Sequence, residues 1–274
     1  MKKFENVIIA TDLDGTFLTS REHGNRRNRE AITYFKQQGG HFTVSTGRNF
    51  RQVLKVVPDA RELLNLPAVT CNGASLYDFE GERELAQYLI PEEDLLALAG
   101  YLDTQCAPIG IRAAAGKTFL FYGVNNVHIQ KDYESFDPEE RKILPVREWE
   151  AYPVYKLAVR ADVGVLDRIR PILAERFVDR LEITRSASTL LDVQAKGRTK
   201  AALLREMINK EFDHPTYLCV AGDYDNDLEM LSIADLPVCP ENAQASIRAI
   251  CRKCFCHYRD GLMGDIVEYL DGQF

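Results

Sequence analysis

Short apolar runs recur along the chain, and each ends on small or acidic residues. They are Val7 to Ala10 (VIIA), His41 to Ser45 (HFTVS), Ala68 to Cys71 (AVTC) and Tyr217 to Ala221 (YLCVA). Unbroken apolar runs of this length suit parallel strands covered on both faces. Between the first two, Ala31, Ile32 and Phe35 recur at helical spacing within Asn25 to Gln38, and Gly39-Gly40 supplies a left-handed stop. After the second, Phe50 to Leu64 carries Val53, Leu54, Val57 and Leu64, and Pro58 is expected to break or restart that helix. Strand, helix, strand, helix, strand is the rhythm of an open α/β sheet with right-handed crossovers.

The rhythm changes from about Glu82 to Asp192. Thr118 to Gly123 (TFLFYG), Val154 to Arg160 (VYKLAVR) and Leu181 to Thr184 (LEIT) read as strands beside helical stretches at Glu92 to Leu102 and Val165 to Phe177. The first pattern then returns with helix Thr199 to Phe212, strand Tyr217 to Ala221, helix Asn226 to Ala234 and a last helix near Leu262 to Leu270. An α+β domain over 83–192 is therefore expected as an insertion, splitting the core into 1–82 and 193–274. Without internal repeats, low-complexity tracts or a Gly/Ser linker, its joints should be short hinges.

Charge narrows the choice of partners. A formal net charge of -7 and a pI near 5.4 oppose binding to nucleic acid or an anionic membrane, both of which need a basic surface. The opening MKKFENVIIATD has too short an apolar run for a signal peptide or a membrane span, so a soluble cytoplasmic protein is expected. Seven cysteines cannot all pair within one chain, and reduced thiols are the simpler reading.

Four features fall at strand ends or at the mouth of the following helix. They are Asp12-Leu13-Asp14-Gly15-Thr16, Ser45-Thr46-Gly47-Arg48, Lys200, and Gly222-Asp223-Tyr224-Asp225-Asn226-Asp227. Ligands of open α/β sheets bind outside the carboxyl ends of the strands, so all four are expected in one crevice. Asp12 and Asp14, two apart in an extended segment, can address one bound species while Gly15 lets the chain turn away. With Asp223 and Asp227 nearby, each unit pair at about 4 Å costs on the order of 4 kcal/mol at an effective dielectric of about 20, which calls for a cation. Oxygen-only donors favour Mg²⁺ over zinc.

Calcium in an EF-hand loop fails on spacing. Counted from Asp223, the required glycine falls on Leu228 and the required glutamate on Ala234; counted from Asp12, they fall on Phe17 and His23. The other groups suit an anion. Thr46 with the N–H groups of Gly47 and Arg48 at a helix start favours phosphate, and Lys200 adds positive charge. Carboxylates, a cation and a lysine around a phosphoryl group describe phosphoryl transfer, with one aspartate as nucleophile and another, its pKa raised by crowding, as general acid and base.

Together, DxDGT at 12–16, TGR at 46–48, Asn72-Gly73-Ala74, a motif lysine and GDxxND at 222–227 resemble the haloacid dehalogenase superfamily. Within it they resemble the Cof-type, subclass IIB sugar phosphatases with a C2B cap. The resemblance covers nearly the whole chain. It implies a Rossmann-like doubly wound parallel-sheet core with an inserted α+β cap. It also implies Asp12 as nucleophile, Asp14 as general acid/base, and Thr46, Gly47 and Lys200 as the phosphate-binding set, with Asn226 near phosphate. Mg²⁺ would be held by the Asp12 side chain, the Asp14 backbone carbonyl and Asp223, with Asp227 in support. The motif lysine usually precedes the small residues that open the helix, which selects Lys200 over Lys196. Small phosphorylated metabolites, sugar phosphates first, are the implied substrates.

Plainer readings stand beside these. An isolated DxD makes Asx-turns, Arg48 can be a solvated arginine and Asn72 a turn cap, so Arg48 and Asn72 stay outside the catalytic set. Cys251, Cys254, Cys256 and His257 invite a zinc reading, but no second ligand pair exists and the cysteines can serve as small buried apolar groups. Trp149 and the tyrosines of the insert could line a pocket or simply pack. A phosphomutase or phosphotransferase of the same fold, or a phosphate sensor without turnover, are the alternative functions. Oligomeric state is not legible.

Overall fold

The computed structural model describes residues 2–19, 26–105 and 108–274, so Asn25, the expected start of the first helix, lies outside them. In chain order, β1 (Val7–Thr11), α1 (Arg26–Gln37), β2 (His41–Val44), α2 (Phe50–Val56), α3 (Ala60–Leu63), β3 (Ala68–Thr70), β4 (Ser75–Asp78) and β5 (Arg83–Gln87) come first. Pro58 separates α2 from α3 as expected, and Asn49 and Gln52 form a capping box that starts α2. Next come α4 (Glu92–Asp103), β6 (Gly110–Ala115), β7 (Thr118–Tyr122), α5 (Val127–Glu134), β8 (Arg141–Ile143), β9 (Val154–Arg160), α6 (Val163–Arg176), β10 (Leu181–Ala187) and β11 (Leu190–Ala195). The chain closes with α7 (Lys200–Glu211), β12 (Tyr217–Ala221), α8 (Leu228–Ser232), β13 (Leu236–Pro240), α9 (Ala245–Ile250), β14 (Lys253–Phe255) and α10 (Leu262–Asp271).

These elements form two compact units, residues 1–86 with 199–274, and residues 87–198. The borders differ from 83 and 192 for a reason of pairing. β5 completes a three-stranded sheet with β3 and β4, and β11 lies between β10 and β9 in the sheet of the second unit.

In the first unit, five parallel strands are ordered β14-β13-β12-β1-β2. A bridge between Ser45 and Val69 carries the sheet on towards β3. One face buries Val7, Ile9, Phe42, Val44, Leu236 and Val238 against Ile32 and Phe35 of α1 and Leu262, Ile266 and Leu270 of α10. Burial of each such side chain stabilises by about 1.5–3 kcal/mol. Alternate residues point the other way, towards α7, α8 and α9, so the sheet is covered on both faces and its chemistry is left to the strand ends.

The second unit has six strands ordered β10-β11-β9-β6-β7-β8, antiparallel except for β7 with β8. α4 and α6 pack on one face through Leu95, Leu98, Leu166, Ile169 and Leu173. Trp149 is fully buried in this core and its Nε1 donates to the Leu144 carbonyl at 3.1 Å, so it packs rather than lining a pocket. Asp132 of α5 receives both Arg112 (2.8 Å) and Arg160 (3.0 Å), and Lys156 and Asp192 form a buried ion pair at 2.9 Å. Among the described residues no helix is long and apolar enough to cross a membrane.

Candidate active site

β1 and β12 run in register, with Thr11 opposite Ala221, and the Asp12 N–H donates to the Ala221 carbonyl at 2.9 Å. This pairing sets the two acidic loops side by side just beyond the strand ends. α7 supplies the cation. Thr199 caps its N-terminus by accepting from the Ala202 N–H, and Lys200, the first helical residue, is turned into the interior. Its Nζ donates to Asp12 Oδ1 at 2.6 Å and to Asp227 Oδ1 at 2.7 Å. Asp227 is fully buried, and its Oδ2 accepts from the N–H groups of Asp223 (2.9 Å) and Tyr224 (3.2 Å). This side-chain turn shortens the expected helix Asn226 to Ala234 to a 3-10 turn at Asp225–Asp227 followed by α8.

The charges are out of balance. Asp12, Asp223 and Asp227 have carboxylate oxygens within 4.8 Å of one another, with one ammonium between two of them. Burial drives the Asp12 pKa well above its ordinary value; Lys200 pulls it down, and Asp227, Asp223 and Asp14 push it up again. Asp223 is raised to about 7, first by burial and then by Asp227, against the Thr16 hydrogen bond and Lys200. For Lys200 burial acts to lower the pKa, but Asp12 and Asp227 outweigh it and hold the ammonium charged.

These groups fit a hard divalent cation. Three carboxylates against one ammonium leave an excess of negative charge that such an ion would offset, and every donor is oxygen. Among the described residues this is the one group of His, Cys, Asp and Glu side chains close enough to share an ion.

Gly15 fixes how closely the two loops approach. Its φ of +84° is left-handed, and a Cβ there would lie 2.5 Å from Asp223 Oδ2. Thr16 Oγ1 donates to Asp223 Oδ1 at 2.8 Å, and the Asn242 side-chain amide donates to the Gly15 carbonyl at 2.8 Å. Gly15→Ala is therefore expected to cost about 1–3 kcal/mol in strain and to displace Asp223. Denaturant unfolding would read the first effect, and a titration of divalent-ion binding the second, as weaker affinity.

Asp14 is placed differently from the other acids. Its carboxylate is 57% exposed and is gripped by Arg48, with Nε to Oδ2 at 2.7 Å and Nη2 to Oδ1 at 2.6 Å. Asp14 projects away from the carboxylate group of Asp12, Asp223 and Asp227 towards Arg48. Its side chain is thus not among the grouped carboxylates. The TGR segment also departs from expectation, since the Arg48 N–H turns back to Thr46 Oγ1 at 3.2 Å instead of pointing outward as a donor. Thr46 is fully buried, its N–H given to Val69. Gly47 follows it, partly buried.

Asn226 Nδ2 donates to Asn72 Oδ1 at 3.2 Å, which ties the GDxxND loop to the turn after β3. Cys71 (φ 53°) and Asn72 (φ 57°) both lie in the left-handed region, and Asn72 N–H binds the Thr46 carbonyl at 2.9 Å. Arg48 and Asn72, outside the catalytic set on sequence grounds, therefore contact candidate site residues, Arg48 holding Asp14 and Asn72 meeting Asn226 and Thr46. A bidentate contact to Asp14 and a strained backbone are tertiary facts with no signature in a single sequence. Lys196 is not part of the cluster; it lies in the second unit, 3.4 Å from Glu182.

The zinc reading of 251–257 finds no support in side-chain placement. His257 caps the turn at Tyr258–Asp260, its Nδ1 accepting from Arg259 N–H, and Cys256 N–H donates to Asp265. Nor are the cysteines simply buried apolar groups. Cys254 is exposed and Cys251 and Cys256 are partly so, because β14 is an edge strand.

A profile of haloacid dehalogenase-like hydrolases matches residues 9–261. The chain belongs to this family. Its similar relatives include a 5-amino-6-(5-phospho-D-ribitylamino)uracil phosphatase of Bacillus subtilis, 28% identical over 88% of this chain and 86% of that one. An HMP-PP phosphatase of Klebsiella pneumoniae is 26% identical over the same shares, 88% and 86%. Among solved structures, a protein of Streptococcus mutans matches with a TM-score of 0.84 at 22% identity, covering 97% of this chain and 98% of that one. A HAD subclass IIB sugar phosphatase matches with a TM-score of 0.81 at 18% identity, covering 96% and 98%. The chain is thus a haloacid dehalogenase-like hydrolase whose named relatives are phosphatases, with the α/β fold of its solved neighbours.

Proposed function

We propose that the chain is a Mg²⁺-dependent phosphatase of small phosphorylated metabolites, sugar phosphates first, acting through an aspartyl-phosphate on Asp12. The observation that carries this reading is the buried Lys200 ammonium bridging Asp12 and Asp227, with Asp223 in the same cluster. An ammonium fixed at 2.6 Å from the attacking carboxylate is also placed to attract the equatorial oxygens of a phosphoryl group. The named relatives act on phosphorylated small molecules, which supports the substrate class.

Asp12 attacks phosphorus through one carboxylate oxygen, the bond to the leaving oxygen breaks, and Asp14 gives that oxygen a proton. Asp14 then takes a proton from water as the water attacks phosphorus, the bond from phosphorus to the Asp12 oxygen breaks, and inorganic phosphate leaves with the Asp12 carboxylate restored. Mg²⁺, held by Asp12 and Asp223 with the Asp14 carbonyl, would neutralise phosphate charge when bound. Asp227 keeps Lys200 and the Asp223 loop in place, Thr46, Gly47 and Asn226 orient the phosphate, and Arg48 holds Asp14 between turnovers. The inserted unit is proposed as the cap that excludes water and chooses the substrate.

A screen of the purified protein against phosphorylated metabolites, with Mg²⁺ and with chelator, tests the reading. Mg²⁺-dependent release of inorganic phosphate is expected. Isomerised phosphate esters without release would make the protein a mutase, and binding without turnover a sensor. Asp14→Asn is expected to lower kcat far more for an alkyl phosphate than for p-nitrophenyl phosphate, whose leaving group needs little protonation. Equal losses on both substrates would remove Asp14 from the acid role.

A further inference from the structure

The active-site chemistry leaves one cluster of side chains unused. Cys239 on β13 and Cys254 on β14 are register partners across parallel strands, so their side chains emerge on the same face of the sheet. That face is the one opposite Leu236 and Val238, beneath α9, and α9 ends at Cys251. The Cys239 thiol is fully buried, donates weakly to the Lys253 carbonyl at 3.9 Å, and interacts with the thiols of both Cys251 and Cys254. Two thiols thus flank the buried Cys239 sulfur, and one of them, Cys254, is exposed to solvent on the edge strand.

We infer that Cys239, Cys251 and Cys254 form an oxidation site in which Cys254 meets a hydroperoxide and Cys239 resolves it as a disulfide. The exposed Cys254 sulfur attacks the peroxide; an S–O bond forms, the O–O bond breaks, and water or the corresponding alcohol leaves with a sulfenic acid remaining. The Cys239 sulfur then attacks the sulfenic sulfur, the S–O bond breaks, and a second water leaves. Two thiols are oxidised by two electrons and one peroxide is reduced. Cys251, beside Cys239, can take over the bond by thiol–disulfide exchange. The Cys251 hydrogen bond and burial raise the Cys239 thiol, and burial and Cys239 raise that of Cys254, so both rest largely as thiols and oxidation through their minor thiolate is slow.

The location gives the bond a consequence. The segment enclosed between Cys239 and Cys254 carries Asn242, whose amide holds the Gly15 carbonyl at 2.8 Å. It also carries Gln244, whose N–H holds the Asp223 carbonyl at 3.0 Å. A disulfide fixes its two Cβ atoms about 3.5–4.5 Å apart, and any shift of β14 that sets this spacing is passed to the loop that braces both acidic loops. Oxidation should therefore weaken the phosphatase, and this arm alone rests on the phosphatase reading.

The test treats the full chain with hydrogen peroxide, blocks free thiols and maps peptides by mass. A peptide joining Cys239 to Cys254 or Cys251 is expected, together with a several-fold drop in kcat/KM for p-nitrophenyl phosphate that dithiothreitol reverses. Cys254→Ser, at an exposed position, should keep the reduced activity and lose the sensitivity; Cys239→Ala should leave Cys254 trapped as sulfenic or sulfinic acid. A Cys239 that stays unlinked while Cys254 oxidises overturns the proposal, as does equal peroxide sensitivity in wild type and Cys254→Ser. The peptide map reads out even if the reduced protein turns over no substrate, so failure of the phosphatase reading is seen separately.

Discussion

Asp12→Asn is expected to lower kcat for Mg²⁺-dependent phosphate release by on the order of 10³-fold or more, with the protein still folded. An amide cannot form the aspartyl-phosphate, so the loss falls on the chemical step and not on substrate binding. The fold should tolerate the change because the substitution is isosteric and its oxygen can still accept from Lys200 Nζ, which now lies 2.6 Å from Asp12 Oδ1. It removes a buried charge whose desolvation is already unfavourable, and with it an attraction to Lys200; the two effects oppose one another. Circular dichroism and thermal melting separate loss of chemistry from loss of fold. Unchanged turnover in a folded Asp12→Asn protein would move the nucleophile elsewhere. Asp12→Ala is the harsher comparison, since it leaves the Lys200 ammonium paired with Asp227 alone inside the protein.

The parts of the fold that the sequence displays are those where one physical signal dominates. VIIAT and YLCVA are apolar and β-rich, and both become central strands; Pro58 breaks a helix wherever it falls. β13 hid because LPVCP contains Pro237 and Pro240, which argue against a central strand, yet Pro237 pairs with Val220 and its carbonyl accepts from Arg252 N–H. β14 hid because three residues carry no period, and β5 because Arg83 and Glu84 are exposed. In the site, acidic residues at strand ends point to Asp12 and Asp223 as candidates, whereas the choice of Lys200 over Lys196 comes from the resemblance to the family motif. The grip of Arg48 on Asp14 depends on two side chains from different loops meeting in space, and no spacing rule encodes it. The same holds for Cys239, which lies outside the cysteine-rich stretch 251–257 and meets Cys254 only through strand register.

Without divalent cation, the protein is expected to lose stability as pH rises from about 4 to about 7, which is unusual for an acidic protein. Asp223 has a folded pKa of about 7 against an ordinary value of 3.8, so the folded state binds a proton that the unfolded chain has released. The stabilisation from that proton is fully present below 3.8 and is lost as pH rises through about 7. Asp12, shifted the same way by burial, adds to the trend. Lys200 stays charged throughout this range and does not contribute to the slope. Carboxylates held below their ordinary value, such as Asp213 and Asp271, act only below about pH 4, whereas His41, pushed down by burial, gains stability as pH rises through this window and offsets part of the trend. A shift from 3.8 to about 7 sets a ceiling of about 4 kcal/mol, reduced by the partial solvent access of Asp223. Mg²⁺ competes with the proton for the same oxygens, so its stabilisation should grow with pH; a concentration of 100 times Kd is worth about 2.7 kcal/mol. Thermal melts at pH 5 and 7.5, with chelator and with Mg²⁺, read both effects. Asp223→Asn should make the chelator series shallower, leaving the Asp12 contribution, and remove the Mg²⁺ shift at pH 7.5. A metal-free protein that gains stability over this range would mean that the folded state does not hold the extra proton on Asp223, and an equal Mg²⁺ shift at both pH values would mean that the acidic cluster is not where the cation binds.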